Sequence, residues 1–420
     1  MMDAAIVPPG DRAAHPGLSR RGLLGGMVAL GGWGLAGCAA PASLSPLSRG
    51  ALGRGDPALS LAPLRAAADR LFEISVCLRP FRAAGPRLDT ETIGDALVVH
   101  NYGHGGSGWS LSWGSSTLAV RQAMAASPAS AAVIGSGPLG LTSALLLQSA
   151  GVPVTLYAKE LVPEMPSLRA TGSYTPDSRI ALEDAVSADF PALWEGMART
   201  SFRRFNEMLG LAGDPVRWID RYVVSDRDPA PRARGPDGSG GVPDLRFAAY
   251  WSRIRDLFPR NETLGPADTP FGGYNVRRQA NLMFNLASYA DVLVRQFRAA
   301  GGKIVRREFH HAGELGTLPE KTVINCTGYG ARALMADESV VPVRGQIGWL
   351  IPQADFDYGL LFRGVNVVPR SDGICVQAVS GGDMRGYGSD DLTPDRAESE
   401  EAVATLAELY RTFGRLPAAA

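Results

Sequence analysis

Residues 131–160 read "AAVIGSGPLGLTSALLLQSAGVPVTLYAKE". The first four are apolar and predict a short buried strand. Gly135, Gly137 and Gly140 follow with G-x-G-x-x-G spacing, Leu139 to Ala150 predicts an apolar helix stopped by Gly151, and Val154 to Tyr157 predicts a second strand. Strand, tight turn, helix and strand in this order make a βαβ unit suited to a dinucleotide. The first glycine makes the turn, the second lets backbone approach a pyrophosphate, and the third lets helix and sheet pack closely. Pro138 suits the first helical turn, where its missing N–H would have had no partner. The helix N-terminus offers N–H groups and positive dipole to phosphate. Gly135, Ser136, Gly137, Pro138, Leu139 and Gly140 are therefore candidate cofactor-binding residues. Lys159 and Glu160 end the second strand, and Glu160 can accept hydrogen bonds from a ribose without a 2′-phosphate. This unit alone does not choose between NAD and FAD.

A second glycine-rich site precedes the first. Residues 98–116, "VVHNYGHGGSGWSLSWGSS", place glycines at 103, 105, 106 and 108 and continue as a polar-aromatic, strand-like stretch. Glycine belongs where backbone must approach a ligand or adopt positive φ. The chain around these sites has 420 residues, room for two sizeable domains. It is 45% hydrophobic and 20% charged with zero formal net charge, and its basic residues are scattered, which argues against a nucleic-acid surface. Its 50 glycines and 30 prolines are separated by apolar periodic segments, so they read as turns and ligand-hugging loops rather than disorder. Cys38, Cys77, Cys326 and Cys375 are too few and too scattered for a disulfide framework or zinc site. There is no internal repeat.

The first 38 residues read as targeting rather than fold. "HPGLSRRGLLGGMVALGGWGLAGCAAP" carries Arg20 and Arg21, an apolar run from Gly22 to Gly37, and "LAGC". That run is too short to span a bilayer, which takes about 20 residues. A charged head, a short apolar centre and small residues at the end mark an export signal. "SRRGLL" resembles a twin-arginine signal, and "LAGC" resembles a lipoprotein box that would attach lipid at Cys38; an ordinary secretory signal and a chance cysteine are the plainer alternatives. Residues 39–60 read as a tether. The expected location is periplasmic, membrane-tethered, with export after folding.

Several further motifs carry a family resemblance. The histidine-glycine stretch at 98–116, "CLRPFR" (77–82), "VINCTGYGARAL" (323–334), "VRGQIGWL" (343–350) and "FGGYNVRRQANLMFNLASYADVLVRQFRAAGGKI" (271–304) together resemble the D-amino-acid oxidase family of flavoproteins. The resemblance implies an α/β fold, with a doubly wound Rossmann-like FAD-binding domain and an antiparallel-sheet substrate domain. The expected FAD-binding segments are 84–181 and 281–343; the expected substrate segments are 61–83, 182–280 and 344–420. The order of the motifs departs from the family. There the chain begins with the dinucleotide strand and ends with the arginine motif, the histidine-glycine motif and a closing helix. Here those closing elements (61–128) come first, as a circular permutation would leave them, with "STLAVRQAMAASPASAAVIG" joining the old ends. A fusion of two proteins, or a fragment, is the alternative.

The resemblance also implies chemistry: oxidative deamination of a D-amino acid, with hydride passing to FAD, O2 reduced to hydrogen peroxide, and the imino acid hydrolysed to a 2-oxo acid and ammonia. Such a site needs orientation more than acid–base groups. Arg79 matches the carboxylate-binding arginine, with Arg82 as the nearby alternative; a planar guanidinium can hold a carboxylate through two parallel hydrogen bonds. Gly105, Gly106, Ser107, Gly108, Trp109 and Ser110 match the loop around the flavin, and the carbonyl of Gly106 matches the acceptor of the substrate amine. Ser167, Thr171, Gly172 and Ser173 match a flavin-contacting loop. Phe309, Thr327 and Gly328 match positions along the adenine and the sheet edge. His100 with His104, and His310 with His311, could suggest a metal, but two ligands do not make a site and the family uses none.

Two departures bear on substrate. The family places two tyrosines on the strand before an "IIP"-like turn; "LLFRGVNVVP" puts Phe362 and Asn366 there, giving an apolar lid and an amide donor in place of two phenols. The reach of Tyr174 and Tyr358 into the site is open. No second positive group is assigned to an acidic side chain, with Arg179 and Arg363 left open, so a neutral D-amino acid is the expected substrate. The alternatives are glycine or a secondary amine oxidised by the same route, and a flavin-binding lipoprotein that has lost turnover.

Overall fold

The computed structural model describes residues 61–227 and 245–414; the expected export signal, Cys38 and the 39–60 tether lie outside them. Two sheets organise the described residues as one compact unit. The smaller contains β2 (Thr90–Ile93), β3 (Ala96–His100), β4 (Ala131–Ile134), β5 (Val154–Ala158), β9 (Lys303–Arg306) and β10 (Thr322–Asn325), in the order β2-β3-β10-β4-β5-β9. From β3 to β9 every neighbour is parallel, and only β2 returns antiparallel. Strands β4 and β10 are buried along their whole length. Short continuous apolar strands are what a parallel sheet covered on both faces requires.

The larger sheet contains β1 (Leu71–Phe81), β6 (Val216–Asp226), β7 (Glu262–Leu264), β8 (Tyr274–Phe284), β11 (Val341–Leu350), β12 (Gly359–Phe362), β13 (Val365–Arg370) and β14 (Gly373–Ala378), in the order β1-β11-β14-β13-β12-β6-β8-β7. It is antiparallel except where β12 lies parallel to β6. The first strand in the chain pairs with a late one: β1 runs against β11 from Leu71↔Leu350 to Phe81↔Val341. Residues 71–100 therefore supply a strand to the large sheet and two to the small one, rather than forming a unit of their own.

Four long helices complete the layers: α1 (Gly108–Met124), α2 (Pro138–Ser149), α3 (Phe190–Asn206) and α4 (Leu286–Ala299). Helix α2 starts at Pro138 with Gly137 as its N-cap, as the sequence predicts. Residues 108–116, expected to be strand-like, are helical instead. Helix α1 packs against both α2 and α3, and Trp109 through Ser116 are all buried. At Gly114 a Cβ would lie 2.1 Å from the Met197 carbonyl oxygen, so the α3 backbone occupies the space of a side chain. A helix wrapped by neighbours on most sides needs small residues around its circumference and has no polar face, so the 3.6-residue period that marks a surface helix is missing.

The closing helix, Arg396–Arg411, begins with the Asp395 carboxylate accepting from the Glu398 N–H at 3.1 Å and lies against β14. Its far end meets the start of the described chain at one side chain. The Tyr358 hydroxyl donates to the Ala62 carbonyl at 2.9 Å and lies 2.9 Å from the Tyr410 hydroxyl. No described helix is long and apolar enough to cross a membrane.

Candidate active site

One cavity of about 1680 Å³ joins the two glycine-rich sites. Arg79, Gly105, Gly106, Gly108 and Trp109 line it together with Gly135, Ser136, Gly137, Pro138 and Leu139. Segments separated in the chain thus share one chamber between the two sheets.

The dinucleotide end is shaped by backbone. Gly135 has φ +107°, and a Cβ there would lie 2.5 Å from the Cys326 carbonyl oxygen. Gly140 is off the wall: its Cβ would lie 1.8 Å from the Gly135 carbonyl oxygen, so its absence brings α2 onto the turn. Gly137, by contrast, has open space, with Ser167 Oγ nearest at 3.7 Å from a notional Cβ. No side chain caps α2, so the first-turn N–H groups lack an internal partner. Open space, free N–H groups and the positive end of a twelve-residue helix fit a pyrophosphate. Further along, Ser136 Oγ donates to the Glu160 carbonyl at 2.5 Å, fixing the end of β5. Lys159 is exposed at the rim and pairs with Glu308 at 2.8 Å. Phe309 packs edge-on against Tyr157 and carries the Arg307 guanidinium 4.4 Å from its centroid. Thr327 and Gly328 line the opposite side, with Thr327 Oγ1 donating to Asn325 Oδ1 at 2.8 Å.

At the other end three segments converge through backbone contacts. The Gly105 N–H donates to the Pro80 carbonyl at 2.8 Å, and the Gly106 N–H donates to the Ser178 carbonyl at 2.9 Å. A Cβ on Gly105 would stand 1.9 Å from the Arg179 carbonyl oxygen, and one on Gly106 would stand 2.5 Å from Ser178 Oγ. The Arg179 backbone leaves no room for a side chain at Gly105, and one at Gly106 would have to displace the Ser178 hydroxyl. The contact brings together two guanidinium groups on the wall. Arg79 lies over Gly345 and donates from Nη1 to the Arg344 carbonyl at 3.1 Å. Arg179 donates to the carbonyls of Asp383 and Gly382 at 2.8 and 2.9 Å and pairs with the Asp383 carboxylate at 3.2 Å. Burial, reinforced by the charge of Arg79, lowers the Arg179 pKa to about 10. Asp383 pairs with Arg179, and Arg79 has no carboxylate partner among the described residues, which leaves this end ready to receive an anion.

The remaining expected residues hold the loops that frame the chamber. Trp109 Nε1 donates to the Ser167 carbonyl at 2.8 Å, the Thr175 N–H to Ser110 Oγ at 2.9 Å, and Ser107 Oγ to the Ser178 carbonyl at 3.0 Å. Ser107 and Ser110 are buried and stand behind the wall; Thr171 and Ser173 are on it. Gly172 is also behind it, where a Cβ would meet the Phe284 carbonyl oxygen at 2.4 Å. His104 is buried on the wall with Nε2 2.7 Å from Ser115 Oγ, and burial depresses its pKa to about 3. Ser115 gives its one proton to Asn101 Oδ1 at 2.6 Å, so it must accept from His104 Nε2–H. His104 Nδ1 is then a bare acceptor, and it has no partner among the described residues. His100 contacts Glu91 at 2.7 Å.

The lid expected at Phe362 is corrected. Arg363 and Gly364 both have positive φ, +43° and +75°, giving a two-residue hairpin turn that fixes the register as Phe362↔Val365 and Leu361↔Asn366. Successive strand residues face opposite sides. Leu361 and Asn366 therefore face the cavity, while Phe362 is fully buried behind it, edge-on to Tyr274 at 5.3 Å. Tyr358 is likewise behind the wall. Tyr174 contributes to the wall, but its hydroxyl points at the Ala198 carbonyl, 3.4 Å away. Arg363 is occupied by Asp226 and Glu408 outside the cavity. Sequence reading missed Arg221, Gln279 and Gln377, which line the wall beside Asn366. Arg221 Nη2 donates to Asn366 Oδ1 at 3.0 Å. A guanidinium cannot accept, so this contact fixes the amide with Nδ2 turned away from Arg221 and free to donate.

Replacing Gly140 with valine should abolish retention of flavin, because its Cβ has no room against the Gly135 carbonyl. The ratio of 450 nm to 280 nm absorbance of the purified protein measures this, and normal flavin content in the variant would contradict the cradle.

The comparisons agree with this geometry. Residues 130–419 match the family model described as FAD dependent oxidoreductase (DAO). The chain is 30% identical over 225 residues to a D-amino-acid oxidase from Rubrobacter xylanophilus, covering 52% of this chain and 58% of that protein. It is 26% identical over 242 residues to one from Streptomyces coelicolor, covering 54% and 63%. The matched region thus spans somewhat over half the length of these relatives. Among solved structures, an L-amino acid deaminase from Proteus vulgaris aligns over 60% of each chain at 16% identity with a TM-score of 0.42. With its dinucleotide cradle inside the matched region, this chain belongs to the FAD-dependent oxidoreductase family typified by D-amino-acid oxidase.

Proposed function

We propose that the protein is an FAD-dependent oxidase of D-amino acids, producing a 2-oxo acid, ammonia and hydrogen peroxide. The observation that carries this reading is the single cavity shared by Arg79, the Gly105–Gly106 backbone and the Gly135–Leu139 cradle. FAD, when bound, supplies a hydride acceptor that returns its electrons to O2. The chain supplies placement. Arg79 and the Asn366 amide would hold the substrate carboxylate, the Gly106 carbonyl would accept from the amine, and the close backbone packing at 105–106 and 178–179 fixes these groups relative to one another. Orientation of this kind contributes much of an enzymatic rate when the cofactor performs the bond chemistry.

Peroxide release under air and bleaching of the flavin under nitrogen test the proposal, with D-alanine, L-alanine, glycine and sarcosine as substrates. Turnover and bleaching by the D-amino acid are expected. A yellow protein that no D-amino acid bleaches would overturn it, and bleaching by glycine or sarcosine alone would move the substrate class. Arg79→Ala should raise KM about a hundredfold with an unchanged flavin spectrum; wild-type KM in this variant would remove the carboxylate assignment.

We also infer that the chain is a circular permutation of the family's usual order. Three observations support it: the family match starts at residue 130, ahead of β4; β1 is integral to the large sheet and β3 to the small one; and Ala62 and Tyr410 meet at Tyr358. A gene recut to encode 129–420, a short linker and then 61–128 should yield a folded protein with one FAD per chain and the parental melting temperature within a few degrees. An insoluble or flavin-free product would count against the inference.

A further inference from the structure

The cavity wall contains a guanidinium that the carboxylate clamp does not account for. Arg221 lies on β6, directly across from Gln279 on β8, and both side chains line the cavity. Its side chain donates to the neutral Asn366 Oδ1, at 3.0 Å. No carboxylate pairs with it among the described residues. Asp220, its chain neighbour, faces Arg278 at 3.8 Å, and Arg277 adds a second positive charge to its surroundings. The polar side chains beside it on the wall, Gln279, Asn366 and its cross-strand partner Gln377, are neutral.

A guanidinium withdrawn from water without an anion is unfavourable, and such groups are nearly always paired. Most other arginines on this wall are already engaged. Arg179 holds Asp383, Arg385 holds Glu398 at 2.8 Å, Arg332 holds Glu338, and Arg344 is bound by the carbonyls of Asp391 and Thr393. Arg79 is assigned to the substrate's α-carboxylate. Arg221 is therefore left facing the chamber with donors to spare, flanked by amides that can donate to the same anion.

We propose that Arg221 is a specificity-determining residue that receives a second anionic group, the side-chain carboxylate of a dicarboxylic amino acid. The proposal rests on the oxidase reading and narrows its substrate to acidic amino acids such as D-aspartate or D-glutamate, in place of the neutral side chain expected from sequence. Asn366, oriented by Arg221, stands between the two anion sites and can serve either.

The test uses purified holoenzyme and two amine-free ligands, propionate and succinate, titrated against the visible flavin spectrum of wild type, Arg221→Met and Arg221→Lys. Succinate should bind on the order of tenfold more tightly than propionate in wild type. Arg221→Met should weaken succinate about tenfold more than propionate, which loses only the orientation of Asn366, so that the preference disappears, and Arg221→Lys should restore part of it. Equal affinity of wild type for the two ligands, or equal loss of both in Arg221→Met, would overturn the proposal; the latter would make Arg221 a positioning residue for the α-carboxylate. Peroxide release separates this from the broader reading. Turnover of D-alanine with none of D-aspartate or D-glutamate would overturn the acidic-substrate proposal alone. If no amino acid is oxidised, the oxidase reading falls, and the succinate titration still decides whether Arg221 binds a second anion.

Discussion

The chamber depends on a backbone contact where no side chain fits. Gly105 and Gly106 lie against Ser178 and Arg179 so closely that a methyl group at either glycine would overlap its neighbour, and the Gly105 N–H is simultaneously bound to the carbonyl of Pro80. Three chain segments are locked by that contact: the end of β1, the histidine-glycine turn, and the 165–179 loop. Locking them sets two like charges, Arg79 and Arg179, against each other with only Asp383 to offset them. Positive charge gathered in this way favours an anion, because binding one offsets the two like charges as well as adding attraction.

The same loop is tied to the large sheet from its other side. Arg370, buried on β13, donates to the carbonyls of Leu168 at 3.0 Å and Ala170 at 2.6 Å while paired with Asp372, and its guanidinium stacks on Trp349 4.8 Å away. A planar five-donor group can satisfy two carbonyls and a carboxylate at once, which an ammonium cannot do with the same geometry. The small sheet thus supplies the cradle, the large sheet supplies the wall, and the 165–179 loop is fastened to both. The family match fits that division, since β4, α2 and most of the large sheet lie inside it while β1 to β3 lie before it.

Much of this was legible in sequence where the signal was local. The βαβ unit declares itself because turn, helix start and strand each need particular residues within thirty positions, and Gly137, Pro138 and Gly151 stand where those needs fall. The chamber was inferable from motif resemblance, and Arg79 stands on its wall. Two errors have clear physical causes. The first half of helix α1, residues 108–116, reads as strand-like because its buried circumference erases the helical period. Phe362 was assigned to the wall by counting along the chain, whereas the face of a strand is set by register, here fixed by the positive-φ pair Arg363–Gly364. Arg221 was invisible for a related reason. Nothing within β6 distinguishes it from Arg217 two turns of the pleat away, and only pairing with Gln279 and contact with Asn366, 145 positions later, place it on the wall.

The acid–base content of the wall bears on what chemistry the chain can perform. Asp383, Glu398, Glu308 and Glu338 line the cavity, and each is held by a cation: Arg179, Arg385, Lys159 and Arg332. Glu160 and His310 also line the cavity, at the dinucleotide end. His104 is neutral across the physiological range because burial holds its pKa near 3, and its Nε2–H is committed to Ser115. A reaction that relied on a protein carboxylate or imidazole to remove a carbon-bound proton would need one of these groups freed and aimed at the substrate. Removal of a hydride asks something different: fixed hydrogen-bond donors, an excluded solvent and an acceptor held at one distance. Arg79 and the Asn366 amide meet the first requirement without any titrating group, and the Gly106 carbonyl adds a fixed acceptor, which is why the architecture favours oxidation over acid–base chemistry at this end of the chamber.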